Sequence, residues 1–172
     1  MISILTEFLQ NELIDLISTS GKNVKVHVGP IIGAEGEVHV MNAAGESLLL
    51  INLINLSEEI YGTVKMQPNA TALNLKYMFS VSNNDNYLES LSILSDVIAF
   101  FTANHTYTPE NGPGIEGLRQ MNFKMFNMED KDLSGVFISM GMKKIPTVFY
   151  ECRMVTIKNA TTAPIGGSLA GW

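Results

Sequence analysis

Between Ile2 and Ser18 the apolar residues Leu5, Phe8, Leu9, Leu13, Leu16 and Ile17 recur at three- and four-residue spacing, while Glu7, Gln10, Asn11 and Asp15 fall on the opposite side. That periodicity predicts an amphipathic helix over 2–18, stopped by Ser20-Gly21. Val24, Val26 and Val28 then alternate with Lys25 and His27, which predicts a short strand ending at Gly29-Pro30. Gly33 to Gly36 reads as a flexible link. A second alternating piece around Val38 and Val40 is expected to form an edge hairpin with the strand that follows. Ser47 to Leu56 is apolar on both faces, the pattern of a strand inside a sheet. After a loop over 57–69, Leu73, Leu75, Tyr77, Phe79 and Val81 alternate with Asn74, Lys76, Met78, Ser80 and Ser82. This period of two predicts a strand with one core face and one face left for solvent or a partner.

Asn83 to Asn86 reads as turn and cap, and Glu89 completes a capping-box spacing. The helix that follows runs to about Phe101, with Tyr87, Leu91, Leu94, Ile98 and Phe101 as its expected seam and Leu88 and Val97 widening it. A loop containing Pro109 and Gly112-Pro113-Gly114 leads to a strand marked by Met121, Phe123 and Met125. Glu129 and Asp130 suit the positive end of a short helix, whose stripe is Leu133, Val136, Phe137 and Met140 and whose left-handed cap is Gly141. Pro146 forbids continuation and opens a final strand from Thr147 to Ile157.

The order of elements implies an α+β fold: a mostly antiparallel sheet of four main strands plus a short edge hairpin, with the two longer helices packed on one face. On this reading Met78 stands on the outward face of its strand, and Phe149 and Val155 stand outward beside Glu151 and Arg153. After Lys158 the chain loses charge and periodicity, yet it carries Ile165 and Leu169 and ends on its only tryptophan, Trp172. Residues 1–158 are therefore expected to form a single domain and 159–172 a flexible arm. The arm either orders on a neighbouring subunit or is a frayed terminus.

Composition narrows what such a fold does. A chain of 172 residues with 46% hydrophobic content can bury a substantial core without disulfides or metals. Only 16% of its residues are charged. A surface so lightly charged suits either burial in an assembly or a coat of Asn, Ser and Thr. The net charge of −6, with basic residues scattered, gives no face to neutralise phosphates, which argues against nucleic acid as a partner. Cys152, the one cysteine, excludes an internal disulfide and reads as a small core residue on the face of Val148, Tyr150 and Met154. Glu7, Glu12 and Asp15 interrupt the N-terminal apolar residues, so no secretory signal is expected. The apolar run from Leu48 to Leu56 is too short to span a membrane.

The chemistry-bearing residues do not converge. His27 and His39 fall on outward positions of short strands and His105 in a loop, none at a metal-ligand spacing from another. Ser139 has Phe137 where a nucleophile elbow needs glycine. Proline breaks the amide run of Gly112-Pro113-Gly114, and the Glu58-Glu59 pair closes a strand as two solvated carboxylates. The pattern therefore predicts no enzyme, no metal and no cofactor. A hidden hydrolase or transferase would need one of the histidines beside a carboxylate in space.

Several blocks carry a family likeness. They are Ile54-Asn-Leu-Ser-Glu-Glu59, the proline-led alternation from Pro68 to Val81, and Asn86-Tyr-Leu-Glu-Ser-Leu91. With them come Leu133, Gly141 and Pro146, then Tyr150 with Arg153, and Thr156-Ile157. In this order they resemble the cap, or tube-terminator, proteins of contractile injection systems, the phage-tail-like particles of bacteria. Phe137 departs from the pattern, where many relatives carry tryptophan. The resemblance implies a structural protein: a ring, expected to be hexameric, on the baseplate-distal end of the inner tube and outer sheath. Such a ring would end polymerisation and anchor the last sheath layer. Its partners would be itself, the tube protein and the sheath protein, first in the cytoplasm during assembly and then in the particle. The alternative is a monomeric adaptor recruiting another component of the same particle. Candidate contacts are Val26 and Val38 in the edge region, Tyr61 in the loop, Met78, Phe149 and Arg153 on the outward sheet face, and Ile165, Leu169 and Trp172 in the arm.

Overall fold

The computed structural model of the chain describes residues 1–32, 38, 41, 43–59, 70–83, 85–141 and 143–157. Helix α1 spans Ile2–Ser20 and buries Leu5, Leu9, Leu13 and Ile17, one residue per turn. Gly21 ends it in the left-handed conformation, φ 69°, where a side chain would be strained. Strand β1, Val24–Val28, is followed by β2, Ser47–Glu58, and β3, Ala70–Ser82. Helix α2 covers Tyr87–Ala103, β4 is the two-residue Thr106–Tyr107, and β5 runs Leu118–Met125. Helix α3, Asp130–Ser139, and strand β6, Thr147–Ile157, complete the described elements.

The strands form one mixed sheet in the order β1-β2-β3-β6-β5-β4. Strands β2, β3, β6 and β5 are antiparallel neighbours, but they belong to a six-stranded mixed sheet and not to the four-stranded sheet with an edge hairpin that the pattern predicted. The edge differs from the expected hairpin. Strand β1 runs parallel to β2, Val24 facing Ser47 and Val28 facing Ile51. A tight turn cannot join parallel neighbours, so the chain needs the crossover from Gly29 to Glu46. Of the Val38 piece, the described part is a single antiparallel bridge to Ile32.

Both longer helices lie on one face, as expected. Their buried residues join Leu49, Ile51, Leu75, Tyr77, Phe79 and Val81 in one core. Asn86 caps α2 by accepting a hydrogen bond from the Glu89 backbone N–H at 3.2 Å. The seam is the expected one only in part: Val97 and Phe101 are buried and Leu94 and Ile98 pack against the core, but its centre is shifted toward Ser90 and Ile93. Ser90, Ile93, Val97 and Phe101 are buried, while Tyr87 and Leu88 are 63% and 75% exposed and Leu91 points largely outward. Phe101 closes the core with ring contacts at 4.4 Å to Tyr150, 5.0 Å to Phe123 and 5.1 Å to Phe79. Gly117 ties β5 to the end of β6. Its carbonyl accepts from the Ile157 N–H at 2.8 Å, and a Cβ there would stand 2.2 Å from the Ile157 carbonyl oxygen.

The opposite face corrects the expectation for Met78 and Phe149. Met78 is fully buried and Phe149 nearly so. The segment between β5 and β6 returns to this face: Phe126 meets Phe149 in a tilted ring contact at 5.7 Å, and Phe137 of α3 is buried. Ile31 and Ile145 cover Leu48 and Leu50 on the same side. A period of two assigns faces correctly but does not reveal that a later segment returns to roof the second one.

Candidate functional site

The residues singled out as contacts are not gathered into one place. Val26 is half-buried against the α1 side of the core, and its carbonyl accepts from Gln10 Nε2 at 3.3 Å. Val38 is 56% exposed. Met78 and Phe149 are interior and offer no contact surface. Arg153 remains half-exposed, its Nε donating to Glu59 Oε2 at 2.5 Å. That ion pair fixes Arg153 beside the end of β2 and shows that Glu58-Glu59 is not an isolated carboxylate pair. Tyr61, Ile165, Leu169 and Trp172 lie outside the described residues, as does His39.

The outward-facing apolar residues that sequence reasoning missed lie elsewhere. Tyr87 and Leu88 form a patch at the start of α2, Ile138 of α3 is 79% exposed, and Leu53 and Leu56 stand out from the second half of β2. For α2 the sequence contained the signal but not its resolution. The stripes 87/91/94/98/101 and 90/93/97/101 both follow helical spacing, and the second is the fully buried one.

Two open cavities flank Asn52. The one on the α3 side, about 690 Å³, is lined by Ile54, Val136 and Ile138 among others. The one on the α1 side, about 570 Å³, is lined by Ile2, Glu7 and Val28 among others. Pro30, Asn52 and Leu53 belong to both. Asn52 is only 5% exposed, and its amide nitrogen has no hydrogen-bond partner in the structure. A buried amide donor normally finds a partner, so this one is an anomaly of the region.

Acid–base and redox chemistry find little support in the described residues. No group of three His, Cys, Asp or Glu among them is placed to hold a metal ion. Cys152 is fully buried on β6, and burial pushes its thiol up, the opposite of what a nucleophile needs. Burial likewise pushes the phenols of Tyr77, Tyr107 and Tyr150 up, as expected of core tyrosines. No described helix is long and apolar enough to cross a membrane.

Comparison with known proteins accounts for the fold. The family described as the Pvc16 N-terminal domain matches residues 2–168. The sheath/tube terminator of the extracellular contractile injection system PVC, in its extended state, shares the architecture with a TM-score of 0.60 at 12% identity, over 92% of this chain. The tube-terminating cap of the anti-feeding prophage does so with a TM-score of 0.53 at 12% identity, over 95% of this chain. The chain spans 57% and 60% of those two proteins' own lengths. No curated protein matches it in sequence.

Proposed function

Since the chain belongs to the Pvc16 N-terminal domain family, we propose that it is a structural terminator of a contractile injection system. It would cap the baseplate-distal end of the tube and sheath as a ring, expected to be hexameric. The observation that carries this reading is that nearly the whole chain matches that family, with the fold of two tube terminators. Such a ring is a heterologous closure, in which one surface of each subunit meets a different surface of the next. It would stop polymerisation and anchor the last sheath layer without making or breaking a bond. The exposed apolar residues of α2 and α3 supply non-equivalent surfaces of the kind a closed ring requires. Arg153, held by Glu59 and half-exposed, remains a candidate contact together with Val26, Val38 and Tyr61. Residues 159–172 are proposed as an arm contributing Ile165, Leu169 and Trp172 to a neighbour.

The test is assembly. Tube and sheath proteins polymerised with and without this protein are expected to differ in length distribution, and capped ends should carry sixfold density in electron micrographs. Filaments of unchanged length with bare ends would sink the terminator reading. A mass by light scattering that stays monomeric even with tube and sheath present would favour the adaptor instead. Deleting 163–172 is expected to weaken ring or tube association while leaving the melting temperature in place. Early melting, or undiminished capping, would refute the arm.

A further inference from the structure

The loop between β4 and β5 carries the chain's one Asn-Gly pair, Asn111-Gly112. Such a pair is chemically fragile. Glycine has no Cβ to shield its backbone nitrogen, so that nitrogen can attack the side-chain amide of the asparagine before it. The Gly112 N–H gives up its proton, the nitrogen bonds to Asn111 Cγ, and the side-chain amide takes up a proton and leaves as ammonia. Water then opens the cyclic imide at one of its two carbonyls. One opening gives aspartate; the other gives isoaspartate, whose main chain is one carbon longer. Asn111 stands exposed, where water reaches it.

The fold requires both members of the pair. A Cβ on Gly112 would stand 2.8 Å from the Thr108 carbonyl oxygen and 3.3 Å from Tyr107 Cβ, so no larger residue fits without a backbone shift. Asn111 Oδ1 accepts from the Thr108 N–H at 2.7 Å, which satisfies a backbone donor just beyond the β4 ladder. The same contacts hold the reacting atoms. The Gly112 N–H donates to the Thr108 carbonyl at 2.8 Å, and the Asn111 N–H reaches that oxygen at 3.3 Å. The nitrogen that must lose its proton is thus bonded, and the side chain that must swing onto it is tethered by its oxygen. Pro109 suits the first corner of the turn, and Thr108 Oγ1 donates to the Glu110 carboxylate across it.

We propose that Asn111 is a masked deamidation site: in the folded chain it is converted only when the 108–112 turn opens, and the backbone of Thr108 is the mask. The mask acts on nucleophile and electrophile together. Breaking one such hydrogen bond lowers the reactive population by roughly fivefold, so the two bonds together slow the reaction by roughly tenfold or more. The two products differ in what they disturb. Aspartate keeps an oxygen for the Thr108 N–H and adds one negative charge to the net −6. Isoaspartate inserts a carbon before Gly112, which moves the Gly112 N–H off the Thr108 carbonyl. This inference stands on the loop alone, all of whose residues are described, and does not depend on the terminator role.

The full chain, native and unfolded in guanidinium chloride, is held at the same neutral pH and temperature and sampled over weeks. Peptide mapping by mass spectrometry counts aspartate and isoaspartate at position 111. The native rate is expected to be lower by roughly tenfold or more. Hydrogen exchange of the Gly112 amide in the ¹⁵N-labelled chain is the independent readout. Exchange and imide formation both begin with loss of the Gly112 proton, and deamidation also needs the side-chain bond broken. Deamidation is therefore expected to be suppressed at least as strongly as exchange. Thr108→Pro deletes the N–H that tethers Asn111 Oδ1, and its native rate is expected to rise roughly fivefold over the parent's. The parent's two rates decide the matter should that variant fail to fold. Equal native and unfolded rates, or a faster native rate, overturn the proposal. So does a protected Gly112 amide with undiminished deamidation, or an unchanged rate in a folded Thr108→Pro. Suppression that vanishes on deleting 158–172 would assign the mask to the chain's terminus and would overturn it as well.

Discussion

The rotation of α2 about its axis can be tested with two alanines. Ile93 is fully buried in the core cluster with Val97, Phe101 and the β3 side chains, whereas Leu88, five residues nearer the N-terminus, is 75% exposed. Removing the Ile93 side chain loses its transfer free energy and leaves a cavity in a close-packed interior, a cost of about 2–5 kcal/mol. The middle of that range, about 3.5 kcal/mol, is a large share of the ~5–15 kcal/mol that holds a domain together. Leu88→Ala creates no cavity and exchanges two strong helix formers, so it should stay within about 0.5 kcal/mol. Urea unfolding followed by circular dichroism measures both. With a slope of about 1–3 kcal/mol per molar, Ile93→Ala shifts the midpoint down by about 1–3 M, and Leu88→Ala barely moves it. For a chain of this size the same loss lowers the melting temperature by roughly 7–14 °C. Equal costs at the two positions, or a larger cost at Leu88, would mean that α2 packs on the seam read from its periodicity, and the reasoning would fail.

Alkaline unfolding should reveal the core tyrosines. Burial, partly offset by the hydrogen bond to Thr6, pushes Tyr77 up to about 12 from 10.0. Its folded pKa exceeds the unfolded one, so the stabilisation is intact below pH ~10 and is lost between ~10 and ~12 at up to ~1.4 kcal/mol per pH unit. Urea midpoints across that window should fall, and Tyr77→Phe should flatten the slope; an unchanged slope refutes the assignment. Tyr107 is buried with its hydroxyl unpartnered. Tyr107→Phe, which keeps the ring contacts to Phe8 and Phe123, is therefore expected to be neutral or stabilising by up to ~1 kcal/mol. A loss above ~1 kcal/mol in the same assay would show that the hydroxyl has a partner. Gly117→Ala should cost more than about 3 kcal/mol, because a positive φ and a backbone clash coincide; a melting curve like the parent's would contradict that geometry. Cys152 should react with Ellman's reagent at the rate of global unfolding, with rapid labelling of the native protein as the contrary result.

What the sequence determined by itself is local and periodic. The stripe Leu5-Leu9-Leu13-Ile17 made α1 a helix with one buried face, Asn86 with Glu89 placed the start of α2, and Pro146 placed the start of β6. The alternations from Leu73 and from Val148 assigned the helix-covered face of β3 and β6 correctly, since a strand's side-chain period leaves only two choices. The family blocks were legible in the same way, as short runs within single elements. Tertiary structure decided which surfaces meet. Helix α2 carries apolar residues on two overlapping stripes, so its orientation had to be settled by the packing of Ile93, Val97 and Phe101 on the sheet. Strand β1 carries the same alternation whether it pairs parallel or antiparallel, and only the crossover fixed the direction. Met78 and Phe149 read as outward because nothing within a strand's own sequence shows that Phe126 and α3 will return to cover them. The unequal reach of β1 along β2 was equally invisible, because it exists only once the two lie side by side.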